Sequence, residues 1–583
     1  MEKTKVKKKD PRLDSLVQLF GGIIIIILIN VIGSFIFTRV DLTSEKRFTL
    51  SPSTRQLLRE TDDIYYFKVY LEGEFPSGFK RLSQSTREML DEFRAYSDNI
   101  QYEFINPTSS DDAKTRKEIQ DRLIEQGLVP TDLAVRTKEG QKQQSIFPGA
   151  LVTHKGKTIP LSLLANQLGA PPEAIINNSI QALEYNLLSA VRRLGTTSKP
   201  KIAFTQGHSE LTKLETADIA NALSEYYNVE YTEIKGQINS LTDRVEVEGG
   251  KYNIINKYEA IIIAKPDSVF SEKDKFIIDQ YVMRGGKVLW LIDPVFASMD
   301  SLQTANRTVG ITNDINLNDQ LFKYGVRLNS NLLMDLAALP IPMVTGYMGN
   351  QPQFTFLPWP YFPVLTSTES HPIVKNINAV KSEFISSIDT VGAAGIKKTI
   401  LLRTSQYTRI AQTPVMITLE ILGRDPDTKD YSEAPQAVAV LLEGQFSSVF
   451  TNRIPKEISQ APEIGFTGQS PETRMIVIAD GDMIKNQVQF SAGNYSPLPL
   501  GYDRHTGQTF GNKELILNAV NYLCDDAGLM AVRSRELRLR ALDVNKAREN
   551  LLSWQLINII VPIALIIIFG IIQFTIRKRR YSR

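Results

Sequence analysis

Cysteine is almost missing from this 583-residue sequence: Cys524 stands alone. No intrachain disulfide can form, and no C-x-x-C pair is present to hold zinc or run thiol exchange. A single thiol is compatible with a bacterial periplasm, and its bland role is a small buried hydrophobe. Histidine is nearly as scarce, at four residues, and no H-E-x-x-H occurs. His154, His371 and His505 are isolated and read as structural or surface residues. Nucleotide-binding signatures are absent too. The nearest approach to a P-loop is Gly156-Lys157-Thr158, whose first glycine would fall at Leu151, with Pro160 close behind. Such a loop cannot present the row of N–H groups that cradles a phosphate. No G-x-G-x-x-G follows a strand, and no internal repeat or low-complexity tract is seen.

What is present is ordinary globular composition, 42% hydrophobic and 22% charged, bracketed by two unusual ends. Residues 16–37 and 555–576 are each 22 positions long without a charge. As helices they would measure about 33 Å, enough for a hydrocarbon core of roughly 30 Å. Bulky, charged "FIFTRVD" after the first run offers no signal-peptide cleavage site, so an uncleaved anchor is expected. Pro562 in the second run is tolerated in a spanning helix. Of the whole-chain charge of +3, the first 14 residues carry +3 and the last seven +5, so the intervening chain stands at −5. Positive flanks place both termini in the cytoplasm, and the long loop between them translocates despite the basic residues 535–548. A mildly acidic ectodomain is not a nucleic-acid binder.

Between the ends the pattern is α/β. Ser51-Pro52 opens a helix. Strands near 64–72, 100–107, 132–136 and 145–153 then alternate with helices near 81–97, 111–126 and 173–194, a small α/β domain. A linker at 194–200 leads to strands 201–207, "VEYTEIK", 258–266 and 287–292, with helices 211–226 and 271–284 between them. That succession reads as doubly wound. Strands near 396–404, 414–422 and 436–443, the run "MIVIADGDMI" and a closing helix 512–526 complete it. Residues 339–363, rich in Pro and aromatics, read as neither helix nor strand.

The order of these features, with the connector "DLTSEKRFTLSPST", the turn "GHSE", the unit "YVMRGGKVLWLIDP", the closing "ADGDMIKN…GNKELILNAVNYL" and the stalk "RSRELRLRALD", resembles the GldG family over essentially the whole chain. Its members are gliding-motility-associated auxiliary, or substrate-binding, components of a Bacteroidetes ABC transporter. The resemblance implies partnership with an ABC permease and a cytoplasmic ATPase. It also implies a central domain related to the flavodoxin and glutamine-amidotransferase fold, which an intraflagellar transport protein shares. The expected layout is a cytoplasmic tail (1–14), a transmembrane helix (15–38), a small α/β domain (39–196), a doubly wound domain (197–529), a helical stalk (530–554), a second transmembrane helix (555–576) and a cytoplasmic tail (577–583). The ectodomain would lie in the periplasm, anchored in the inner membrane, where other periplasmic proteins are further candidate partners.

Three groups of residues are candidates for function. Gly207, His208, Glu210, Asp293, Asp480 and Asp482 all follow strands and would meet at the carboxyl edge of one sheet, where open α/β sheets bind ligands. Ser209 lies between His208 and Glu210, but Leu211 breaks G-x-S-x-G, and a helix-capping role for Ser209 or Glu210 is the simpler expectation. Phe354, Trp359, Tyr361 and Phe362 form a proline-stiffened candidate protein contact, set against the alternative of a loop folded back on its own domain. Asn30, Gly33 and Ser34 in the first apolar run, and Gln555, Asn558, Gly570 and Gln573 in the second, form small or polar stripes suited to helix docking in lipid. The expectation is a non-catalytic protein without cofactor or bound metal. Its competitor is a periplasmic ligand receptor or hydrolase that uses the strand-end acids.

Overall fold

A computed structural model describes residues 11–35, 49–534 and 550–581, apart from 111, 138–139, 166, 168–169, 197, 248–249, 368, 424, 492 and 527. Residues up to 535 form one compact unit, and 536–583 a second. The first helix, α1 (Pro11–Phe35), exposes its described apolar stretch Leu19–Val31. Ser51 then caps α2 (Pro52–Arg59) by accepting from Thr54 N, with proline in the first turn, where its missing N–H is not needed.

A four-stranded sheet follows, built from β1 (Tyr65–Val69), β2 (Ile100–Phe104), β3 (Gly149–His154) and β4 (Lys157–Ser162) in the order β2-β1-β3-β4. Its β1 runs parallel to β2 and antiparallel to β3. Helices α3 (Ser77–Tyr96), α4 (Ala113–Glu125) and α5 (Pro172–Gly195) accompany it. Phe67, Val69, Leu90, Phe93, Val152, Leu183 and Leu187 close its core. The strand expected over 145–153 breaks at Phe147-Pro148, with a separate hairpin of Thr131–Thr137 and Gly140–Ile146 before it.

The larger sheet has seven strands. In chain order they are β5 (Lys201–Gln206), β6 (Asn228–Glu233), β7 (Ala260–Ala264), β8 (Lys287–Leu291), then, beyond a long hairpin of β9 (Ala338–Met348) and β10 (Gln351–Leu365), β11 (Ile396–Arg403), β12 (Ala437–Ser447) and β13 (Gln469–Ile478). Their spatial order is β11-β12-β13-β8-β7-β5-β6. From β13 to β6 every pairing is parallel, and β12 and β11 add an antiparallel edge. Every residue of β7 and β8 is buried, the continuous apolar signature of strands covered on both faces. One face packs Phe204, Ile262, Leu289 and Ile476 against helices α6 (Ala217–Ser224) and α8 (Asn512–Leu523). The other packs Ile261, Ile263, Trp290 and Val477 against α7 (Glu272–Met283).

Three expectations are corrected. The helix expected over 211–226 contracts to α6, because residues 212–216 form a turn closed by the Glu215 carboxylate on Thr212 N and Oγ1. The proline-rich stretch is not a loop but the β9–β10 hairpin, with Pro340 paired across from Pro358; prolines survive there because the N–H they lack would have faced outward from the pair. The expected stalk does not begin at 530. Residues Leu529–Ser534 form a 3-10 turn whose Leu529 and Val532 enter the core of the four-stranded sheet, with the Leu529 and Met530 amides held by the buried Asp525 carboxylate at 2.9 and 2.6 Å. The rest of the expected stalk, 535–549, lies outside the described residues. The second unit carries α9 (Leu551–Tyr581), whose Leu551–Arg579 stretch contains an apolar run long enough to cross a membrane, with Pro562 inside it.

Candidate functional site at the carboxyl edge of the large sheet

Parallel strands deliver their carboxyl ends to one edge, and the loops leaving β5, β7, β8 and β13 bring charged side chains there. Those of β7, β8 and β13 meet. Asp293, Asp480 and Asp482 each present a carboxylate oxygen within 4.8 Å of the others. The first residue past β7 is Lys265, held at φ 54°, and its ammonium reaches Asp293 Oδ2 at 3.1 Å and Asp482 Oδ2 at 2.5 Å. Asp480 is fully buried and turned inward: it accepts from Glu383 N at 3.1 Å, Asp482 N at 2.7 Å and Met483 N at 3.2 Å. Asp293 accepts from Gly481 N. Only glycine fits at 481, since a Cβ there would lie 2.6 Å from Lys265 Cβ and Cγ.

Burial pushes the Asp480 carboxyl well above the usual carboxylate range, and the charges of Asp293 and Asp482 push it further. Asp293 is raised for the same first reason, with Lys265 working against the rise. Burial alone would lower the Lys265 ammonium, but Asp293 and Asp482 outweigh it and hold the group well above the ordinary lysine value. The three acids have the donor chemistry of a hard-cation site. The protein's own ammonium already sits among them, so a divalent ion would have to displace it.

His208, Glu210 and Gly207 form a second group beside the first. Gly207 turns the chain at φ 119°, a backbone conformation that favours glycine. The buried His208 ring stacks on Phe270 at 3.7 Å between centroids. Its Nε2 lies 3.2 Å from Asp274 Oδ2 and its Nδ1 3.5 Å from Glu210 Oε1. Burial works to lower the His208 pKa, but the two carboxylates prevail and raise it. Glu210 does not cap a helix; it closes its own turn by accepting from His208 N at 2.6 Å and Thr205 Oγ1 at 3.2 Å. Asp274 belongs to the capping box of α7, where Ser271 accepts from Asp274 N and donates to its carboxylate. The β7 loop links the two groups, since Asp267 N and Ser268 N both donate to His208 O. No hydrogen bond or ion pair among the described residues joins His208 to the three aspartates.

A nucleophile is not assembled here. Ser209 Oγ faces Ser268 Oγ at 2.7 Å rather than a histidine nitrogen. Cys524 is buried at the end of α8, and burial pushes its thiol up to about 12. His154 stacks on Tyr65, and His371 packs edge-on to Tyr522. Lys265 follows directly on the apolar run "AIIIA", but nothing local marks it as the partner of Asp293 and Asp482. Asp274 was legible as the fourth residue of a Ser-x-x-Asp box. Glu383 comes from an irregular segment with no signal.

The aromatic candidates divide. Trp359, Tyr361 and Phe362 are buried among Leu339, Ile341 and Phe384, so these three are closed into the domain, and Phe354 alone is exposed. In α1, Asn30 donates to Ile26 O at 3.3 Å; the side chains of Gly33 and Ser34 lie outside the described residues. Gln555, Asn558, Gly570 and Gln573 are exposed on α9.

Residues 44–153 match a domain of unknown function, DUF7088. An uncharacterized protein of Borreliella burgdorferi is 21% identical over 567 residues, covering 96% of each chain. A solved structure described as mmIFT52 N-terminal domain is 11% identical with a TM-score of 0.30, covering 56% of this chain and 97% of that one. Residues 199–519, more than half of the chain, match the model of the ABC-type uncharacterized transport system auxiliary family; the chain belongs to that family and is a transporter-associated auxiliary protein.

Proposed function

We propose that this protein is a non-catalytic, membrane-anchored subunit of an ABC transporter complex of the GldG type, linked to gliding motility. In this reading the permease and a cytoplasmic ATPase are its partners and ATP is hydrolysed by the latter. The observation that carries the non-catalytic part is the Lys265 ammonium seated between Asp293 and Asp482. It fills with an internal ion pair the place where a related enzyme would keep a reactive group or receive a ligand. The parallel order β6-β5-β7-β8-β13, which is 2-1-3-4-5 in chain order, supports a doubly wound, flavodoxin- or amidotransferase-like domain over 197–529, with the small α/β domain over 39–196. The apolar α9 and the uncharged run at 16–37 support two spans, with both termini cytoplasmic in a bacterial inner membrane and the ectodomain in the periplasm. The stripes Asn30, Gly33 and Ser34, and Gln555, Asn558, Gly570 and Gln573, would pack on the permease, and the ectodomain would hold a partner protein or substrate.

The test is co-purification from native membranes: the permease and ATPase should travel with the chain through detergent and size-exclusion steps. A chain that elutes alone under gentle extraction refutes the subunit reading. Replacing His208, Asp293 and Asp480 together by Ala, with folding and assembly intact, should leave function in place. Loss of function in that background would establish the receptor or hydrolase instead.

A further inference from the structure

From Leu336 to Ser367 the chain has no Asp, Glu, Lys, Arg or His, and this is the stretch that forms the β9–β10 hairpin. Its register sets Pro342 opposite Phe356 and Val344 opposite Phe354, so these side chains share one face. Plain alternation would send Tyr347 to the other face. A register shift between Val344 and Gly346 prevents this and sets Tyr347 opposite Pro352, on the same face as Phe354. The far half of that face is open: Val344 is 46% exposed, Tyr347 72%, Phe354 57% and Phe356 49%, with Met348 at the turn 72% exposed. The opposite face is neutral as well, with Thr345 and Thr355 hydroxyls 2.7 Å apart.

Resting on the membrane anchorage proposed above, we propose that this hairpin tip inserts into the apolar zone of a lipid bilayer. Neutrality on both faces leaves no charge to be desolvated in lipid and none to steer a charged partner. A second copy adding a strand is opposed by Pro340 and Pro342 on β9 and by Pro352, Pro358 and Pro360 on β10, which offer no N–H. Five exposed side chains fall far short of the roughly 20–30 residues a side of a standard protein interface. Insertion needs no such area, because apolar and aromatic side chains partition singly and the anchor supplies a high local concentration. Fifteen residues, 536–550, precede α9 in the sequence and span at most about 50 Å when fully extended.

The experiment places an environment-sensitive fluorophore on Met348→Cys in the full chain, reconstituted in phosphatidylethanolamine–phosphatidylglycerol vesicles. The buried Cys524 thiol does not compete for the label. Lipid brominated in the acyl chain should quench the probe about two-fold or more, aqueous iodide should barely act, and raising the salt should change neither. Adding Phe354→Asp and Phe356→Asp should reverse the pattern while buried Trp290 fluorescence stays native; if that variant misfolds, the single-label result decides alone. Iodide quenching without bromolipid quenching, in vesicles that retain the chain, overturns the inference. So does protection that arises only when permease-containing membranes are added, which would mark a protein contact. A chain that fails to float with vesicles refutes the anchorage itself and the inference with it.

Discussion

Replacing Lys265 by Met removes one ammonium and keeps the stem that packs beside Gly481, so the substitution isolates the charge. The Lys265 side chain is 26% exposed, and its partners Asp293 and Asp482 are 15% and 14% exposed. Removing one member of so enclosed a set costs about 3–5 kcal/mol, because the remaining carboxylates are left uncompensated out of water. For a domain of this size that corresponds to roughly 5–8 °C in Tm. The cost should depend on pH with a definite sign. Asp293 and Asp480 already lie above their ordinary values through burial, and losing the ammonium raises Asp293 further. A carboxyl raised in the folded state binds more protons there than in the unfolded chain, so stability falls as pH rises above about 4. The variant should therefore approach wild type near pH 4.5 and diverge at pH 7.5. Trp290, fully buried in β8 next to this edge, reports the transition by fluorescence. Combining Lys265→Met with Asp482→Asn should recover part of the loss. A variant as stable as wild type at pH 7.5, or one equally destabilised at both pH values, would sink the argument that this edge is an internal ion pair.

His208→Gln should lower stability by roughly 1.5–3 kcal/mol in mildly acidic buffer, since it loses hydrogen bonds to charged groups. The wild-type contribution is full below the unfolded histidine value of about 6.5 and is lost as pH rises through the raised folded value. Glu210 and Asp274 are lowered despite burial, by hydrogen bonds and the His208 charge, so their contribution is lost as pH falls through the carboxylate range. Denaturant titrations from pH 4 to 9 should show a wild-type maximum between these limits that flattens in the variant. Gly286→Ala should destabilise by about 1–3 kcal/mol, because a Cβ there would lie 2.4 Å from the buried Tyr281 ring; a neutral result in thermal melts would contradict the packing described. Trp359→Ala should cost about 3–5 kcal/mol and Phe354→Ala less than about 0.5 in the same assay, separating the base of the hairpin from its tip.

The central strands were legible because β7 and β8 are apolar over their full length, and Gly285-Gly286 marks the end of α7. The aspartates at the edge were legible for the same reason, standing where apolar runs stop. Three failures have a common physical origin. Proline argues against a strand across 339–363, yet over 340–358 neither strand has a ladder partner on its outer edge, so the missing N–H groups are not needed there. A helix is expected over 211–226, whereas the Glu215 carboxylate closes a turn on Thr212. Charge suggests a stalk from 530, yet Asp525 holds the Leu529 and Met530 amides and Leu529 and Val532 enter the core of the four-stranded sheet. Each turns on which backbone groups find a tertiary partner, and local pattern carries little of that. The pairing of Lys265 with acids 28 and 217 positions away is likewise set by strand order, which alternation alone does not specify.

Strand order also accounts for the difference between this edge and a ligand crevice. Loops at the carboxyl ends of parallel strands serve chemistry when they are free to open and admit a substrate. Here the loop after β13 is stitched to the loop after β8 through Asp293 and Gly481, to the loop after β7 through Lys265 and Asp482, and to the 383 segment through Asp480. The turn after β5 is tied to α7 through His208 and Asp274. Opening any one of these loops leaves a charge on the other side enclosed without its partner, a cost of several kcal/mol. The enzyme-like edge has thus become one of the stiffer parts of the domain. The surface left to engage its surroundings would then lie elsewhere, at the neutral tip of the β9–β10 hairpin.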